Sequence, residues 1–354
     1  MRKTSVLIGL LLALSLLVAA CSPQAAPAAT PSAEPVDAPT ADAASGTLVI
    51  YSGRSESLVA PLIEQFEAAS GLEVEVRYAS TAELAATLLE EGANSPADVF
   101  FAQDPGGLGA VADAGLLAAL PADLLGAVDP RFADPNGQWV GVSGRARVIV
   151  YNTDSLTEAD LPTGLEGFTD PQWKGRIGLP PTNASFQTMV TAMREVWGEE
   201  ATTAWLEGIM ANEPVFYENN TAVVAAVAAG EVEVGFVNHY YLYRFIAEEG
   251  EGFTARNYFL PDGGPGALVM TAGVGQLASS DNPAAAQAFI EFLLTIEAQT
   301  YFAEETFEYP LIAGVPTHPL LPSLASLNAI DISLGDLADL QGSVTLLQQV
   351  GMLP

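Results

Sequence analysis

Residues 236–245 read Phe-Val-Asn-His-Tyr-Tyr-Leu-Tyr-Arg-Phe. An apolar run ends at Val237 and helical spacing begins just after it, so Tyr240 and Tyr241 sit at a strand-to-helix junction. Within a strand or a helix, neighbouring side chains diverge. At such a junction two phenols can converge on one point. The start of a helix carries partial positive charge and favours phenolate over phenol. A hard trivalent cation favours it far more, as bound metals do for water and thiols. Hard ions prefer oxygen donors; tyrosinate is the most basic oxygen a side chain offers, and ferric iron is its natural match. The competing account makes the pair aromatic packing with a hydroxyl at the surface, and the two residues alone do not decide. His239 is a further candidate ligand, although its flanking tyrosines would point it elsewhere.

Charge is the scarce commodity here. The 354 residues hold 43 acidic and 12 basic side chains, a net charge of −31. Such a chain has no electrostatic footprint for nucleic acid, is repelled by anionic headgroups and favours cationic cargo nearby, although solubility alone accounts for acidity equally well. Two of the few cations, Arg145 and Arg147, fall together. They serve either as an anion contact or as a structural ion pair. Enzyme signatures are weak: no Gly-x-Ser-x-Gly elbow, no His-Glu-x-x-His and no Walker loop. A secreted hydrolase would need a base near Ser55 or Ser185, and no histidine is placed to serve.

The amino terminus supplies a location. Arg2 and Lys3 precede an apolar run from Val6 to Val18, then Ala19-Ala20 and Cys21, the single cysteine. This is a secretory signal pattern, too short to span a bilayer, which takes about 20 residues. Cys21 at the cleavage point resembles a bacterial lipobox, implying a lipid-modified N-terminus; more than one acyl chain gives stable anchoring. Without further cysteines there are no disulfides and no thiolate metal site. Residues 22–46, rich in Ala, Pro, Ser and Thr, read as a semi-extended tether.

From Thr47 onward strand and helix patterns alternate. Strands are expected at 47–51, 72–78, 97–101, 146–152, 176–180, 233–237 and within 266–277. Helices are expected after 58, after a Ser80/Glu83 capping signal, after the glycine-rich turn at 104–109, near 185–197, 200–210, 221–229 and 240–249, and twice over 282–304. Alternation predicts an α/β fold with mostly parallel sheets and helices on both faces. Crossings near 143–147 and 264–270 divide it into two lobes: 47–143 with 269–354, and 144–268.

Taken together, "YSGRSESL" (51–58), "GANSPADVFFAQDPGGLGAVADAGLL" (92–117), "SGRARVIVYN" (143–152), "WKGRIGLP" (173–180), "NHYYLY" (238–243), "GPGALVMTAGVG" (264–275) and "EYPLIAGV" (308–315) resemble the iron(III)-binding solute receptors of ABC transporters. That resemblance implies a type II two-lobed periplasmic-binding-protein fold, not an enzyme. It implies Tyr240 and Tyr241 as metal ligands, and carbonate or phosphate held by Gln103, Asn183, Ala184, Ser185, Asn220 and Asn238. The chain departs from the family pattern at Ser55, Gln103 and Phe186, where some members place histidine, glutamate and tyrosine ligands. Ser55, Glu56 or Asp104 could stand in; an exogenous anion and water are the better expectation. The implied partners are an ABC permease and ferric iron, with the membrane reached only through the lipid, outside the cytoplasm, as a monomer. A rival keeps the fold but takes a phosphonate, sulfate or polyamine, with the tyrosines as cleft wall.

Overall fold

The computed structural model describes residues 46–354. The signal segment, Cys21 and the tether up to Ser45 lie outside the described residues. In chain order the elements are β1 (Thr47–Ser52), α1 (Glu56–Ser70), β2 (Glu73–Tyr78), α2 (Thr81–Glu91), β3 (Val99–Ala102), α3 (Pro105–Asp113), α4 (Ala122–Leu125), β4 (Val140–Asn152), β5 (Ile177–Leu179), α5 (Ala184–Trp197), α6 (Glu199–Ala211), β6 (Val215–Phe216), α7 (Asn220–Ala228), β7 (Val234–Asn238), α8 (Tyr240–Glu249), β8 (Ala255–Tyr258), β9 (Val269–Gln276), α9 (Pro283–Leu293), α10 (Ile296–Glu304) and α11 (Leu340–Gln349). Among the described residues no helix is long and apolar enough to cross a membrane.

Local chemistry sets these bounds. The face expected for α1 is the buried one: Leu58, Val59, Leu62, Ile63 and Phe66. The helix stops at Gly71, whose φ of 72° suits glycine because it has no Cβ to clash. Ser80 caps α2 by accepting from the Glu83 amide at 3.2 Å. Asp104 caps α3 in the same way through Gly107. The glycine-rich run is a packing device: a Cβ on Gly107 or Gly109 would strike Thr81 or Ala338.

The strands follow the order β2-β1-β3-β9-β4-β7-β5-β6, with β8 added beside β4. Pairing is parallel for β1 with β2 and β3, and for β5 with β6 and β7. It is antiparallel for β3 with β9 and for β4 with β7, β8 and β9. The expectation of mostly parallel sheets is thus corrected to a mixed sheet, because the chain that crosses along β4 returns along β9 in the opposite direction. β4 is the shared element: residues 140–146 pair with β9, and 147–151 with β7. All thirteen of its residues are buried. Strand alternation puts Arg145 and Arg147 on one face.

Two apolar cores flank this strand. One gathers β1, β3, α1, α9 and much of α7 and α8; the other gathers Phe168, Trp173, Phe186, Trp205 and Phe236. In the second, Phe236 meets Phe168 edge-on at 5.2 Å and Trp205 at 5.9 Å, geometries that add to the burial itself. The chain end needs a correction. Residues 269–354 were expected in the first lobe, but Leu346, Leu347 and Met352 pack into the second core. Arg194 of α5 pins Asp339 at 2.8 Å, and Thr191 meets Ser343 at 2.8 Å.

Candidate metal centre

β7 delivers Asn238 opposite Arg147, and α8 begins two residues later. The rings of Tyr240 and Tyr241 stack at 4.2 Å between centroids with planes 28° apart. Tyr240 is fully buried and its hydroxyl has no hydrogen-bond partner among the described residues; Tyr241 is half-buried. An unpaired buried hydroxyl costs free energy, on the order of 1–3 kcal/mol. The expected help from the helix start is outweighed. Burial first, and then Tyr241, push the Tyr240 phenol well above its usual value, against the pull of Arg145 and Arg54. Tyr240 is a neutral phenol until something stronger than a helix end takes its proton.

His239 has no lone pair to give a metal. Its Nδ1 accepts the Ala146 amide at 3.1 Å, and its Nε2–H donates to the Phe307 carbonyl at 2.7 Å. Burial holds the ring neutral, down at about 4. Asn257 fixes the His239 carbonyl at 2.8 Å. Histidine thus anchors the junction from which the tyrosines project.

Five of the expected anion residues form one hydrogen-bonded chain. Arg147 donates to Asn238 Oδ1 at 3.0 Å, and Asn238 donates to Ser185 Oγ at 3.0 Å. Ser185 donates to Asn183 Oδ1 at 2.8 Å, which also receives Asn220 at 3.1 Å. Asn183 caps α5 through the Ser185 amide. The partners of the Ser185 hydroxyl are the side-chain amides of Asn183 and Asn238. Arg147 ends this chain fully buried, with Nε and Nη2 unsatisfied and no carboxylate within ion-pair reach among the described residues. Burial pulls its guanidinium down to about 9, so at neutral pH it remains a buried cation.

Arg145 fares otherwise. Its Nε lies 3.8 Å from Glu308, and its Nη2 donates to the Thr271 carbonyl at 3.1 Å. Glu308 also receives Arg54 through both oxygens, at 2.9 and 2.6 Å. Burial alone would raise this carboxyl; Arg54 and Arg145 hold it below its usual value. Phe307, just before it, takes a left-handed φ of 56°, strain held in place by the His239 bond and the ion pair. Of the two roles open for the arginines, structural pairing thus describes Arg145. Arg54 and Glu308 were not singled out from sequence. The scarcity argument that picked Arg145 applies equally to Arg54, whereas Glu308, 254 residues away, carries no local signal.

The other candidates line a cleft of about 510 Å³: Ser55, Glu56, Gln103, Asp104, Asn183 and Ala184, facing Gln187 and Glu218. The Gln103 amide donates to Thr81 Oγ1 at 3.0 Å. Asp104 is buried, with Oδ2 unpartnered, and burial raises its carboxyl against the pull of Arg145. Phe186 is core. Neither tyrosine lines this cleft. Tyr241 opens instead on a hollow of about 140 Å³ with Thr221, Arg244, Phe245 and Glu248. No cluster of three His, Cys, Asp or Glu residues suited to a metal occurs among the described residues.

Layered α/β halves joined by shared crossing strands, with polar groups gathered beside them, define a two-lobed periplasmic-binding-protein fold of type II. The chain belongs to the bacterial extracellular solute-binding protein family, whose profile matches residues 61–328. It is 35% identical over 308 residues to an Fe(3+)-binding periplasmic protein of Serratia marcescens, covering 86% of this chain and 90% of that one. The major ferric iron-binding protein of Neisseria meningitidis serogroup B is 33% identical over 309 residues, covering 86% and 93%. The crystal structure of iron-bound HitA from Pseudomonas aeruginosa superposes with a TM-score of 0.83 at 35% identity, covering 86% of this chain and 99% of that one.

Proposed function

We propose that this protein is an extracytoplasmic receptor that captures ferric iron with a synergistic anion and hands it to an ABC permease. The observation that carries this is the stacked tyrosine pair with a buried, unpartnered Tyr240 hydroxyl, next to an uncompensated Arg147. Tyr240 and Tyr241 supply phenolates. Arg147, Asn238, Ser185, Asn183 and Asn220 hold carbonate or phosphate, with Ala184 and Gln103 at the cleft side; Arg145 sets the local field. Ser55, Glu56 and Asp104 line the route by which water, or a carboxylate, completes the sphere.

The similarity to ferric iron-binding periplasmic proteins supports this cargo. Residues 47–143 with 269–339 form one lobe and 144–268 with 340–354 the other. Iron and anion select the closed arrangement in proportion to the contacts they gain there. Residues 1–20 act as the signal, Cys21 carries the lipid, 22–46 tether the domain to the outer face of the membrane, and the receptor is a monomer. Protons compete with iron for Tyr240, so acid favours release.

The test is ferric loading in bicarbonate or phosphate. The purified protein takes up one iron and gains a visible phenolate-to-iron absorption band, and the Tyr240→Phe/Tyr241→Phe variant stays colourless. A coloured, iron-loaded double variant removes the tyrosines from the site.

A further inference from the structure

The inventory of cations points to a second site. Arg2 and Lys3 lie outside the described residues, leaving ten. Arg54, Arg77, Arg131, Arg145, Lys174, Arg176, Arg194 and Arg256 each reach a carboxylate within 4.0 Å. Two, Arg147 and Arg244, have no carboxylate within that distance among the described residues. Arg147 pairs across the sheet with Asn238, three residues before Tyr241. Arg244, half-buried, is three residues further along α8 and shares the 140 Å³ hollow with it.

The hollow is built rather than incidental. Phe245 forms one wall, fixed by stacking on Phe253 at 5.0 Å and 9°. Thr221 closes another from the first turn of α7, next to Asn220 of the anion chain. Glu248, one turn beyond Arg244, is exposed and does not come within ion-pair distance of it. The space equals that of about five waters at ~30 Å³ each, enough for one carboxylate group but not for a whole chelate.

Ferric iron hydrolyses in neutral water and travels bound to chelators, many of them polycarboxylates. Such complexes are anionic and meet a surface of strongly negative net charge, which repels them. A guanidinium without a partner matches a carboxylate in a two-point fork. We propose that Arg244 and Thr221 form an entry site that grips a carboxylate of an incoming ferric polycarboxylate chelate, holding its metal beside Tyr241 while the phenols replace the chelator. This rests on the assignment of Tyr240 and Tyr241 as iron ligands and adds the chemical class of the donor.

Stopped-flow loading followed by the phenolate-to-iron band tests it, with ferric citrate as the carboxylate donor and uncharged ferric acetohydroxamate as the carboxylate-free one. Arg244→Gln slows loading from citrate by about 5-fold, while loading from acetohydroxamate and the final spectrum are unchanged. Glu248→Gln accelerates loading from citrate. Equal slowing from both donors, or no slowing from citrate, overturns the entry site alone. A wild-type protein that takes iron from neither donor overturns the receptor assignment and this one with it.

Discussion

Arg145 and Arg147 stand two residues apart on the same face of one strand, both fully buried, yet their surroundings differ. Arg145 shares the Glu308 carboxylate with Arg54, a charge set closed by the polypeptide itself. Arg147 donates to the neutral Asn238 amide and has no carboxylate partner among the described residues; each of the two arginines keeps two donors without a hydrogen-bond partner. Burying a charge without a partner is expensive. Folding supplies a counter-charge in the first arrangement and none in the second, and the position of a single glutamate makes that difference.

Glu308→Gln breaks the closed side. It strands Arg54 and Arg145 in the interior, and unfolding of the metal-free protein in urea should show a loss of about 3–5 kcal/mol. The same variant fixes a pH window. Glu308 is held below its ordinary value of 4.5, so its contribution is present above that pH and is lost as the pH falls through the lower folded value. The gap in stability between wild type and Glu308→Gln therefore narrows below about pH 4.5.

The open side responds to ligand instead. Phosphate or bicarbonate at about 100 times its dissociation constant stabilises the metal-free wild type by about 2.7 kcal/mol, seen as a rise in melting temperature. Arg147→Met abolishes that rise. In the absence of anion the same substitution is neutral, or stabilising by about 1–2 kcal/mol, because an uncompensated buried charge gives way to an apolar stem of similar length. A strong destabilisation by Arg147→Met without anion would erase the contrast between the two arginines.

The sequence disclosed what local periodicity encodes. The apolar face of α1, the Ser80 cap, the buried strand expected at 97–101 and found at 99–102, and the tyrosine junction all follow from neighbours in the chain. The short edge pieces β6 and β8, and the elements beyond residue 304, were not legible. β6 is two exposed residues, and the last fifty residues are mostly loop with α11 at the end, so neither offers a period to count. Strand direction was misjudged for β4 and β9, since antiparallel return across the molecule is a matter of long-range pairing. The same limit hid the Arg54–Glu308 contact, whereas Arg147 and the amide chain from Asn183 to Asn238 were found through charge scarcity and family resemblance. The helix start was expected to ease Tyr240 towards phenolate. Burial, invisible in a linear pattern, reverses that.

The central claim is that the phenol oxygens of Tyr240 and Tyr241 grip one ferric ion, and a crystal structure of the iron-loaded protein tests it most directly. The account predicts both oxygens at about 2 Å from a single iron, with an anion between that iron and Arg147. Iron held elsewhere, with Tyr240 still buried and touching no metal, would contradict it.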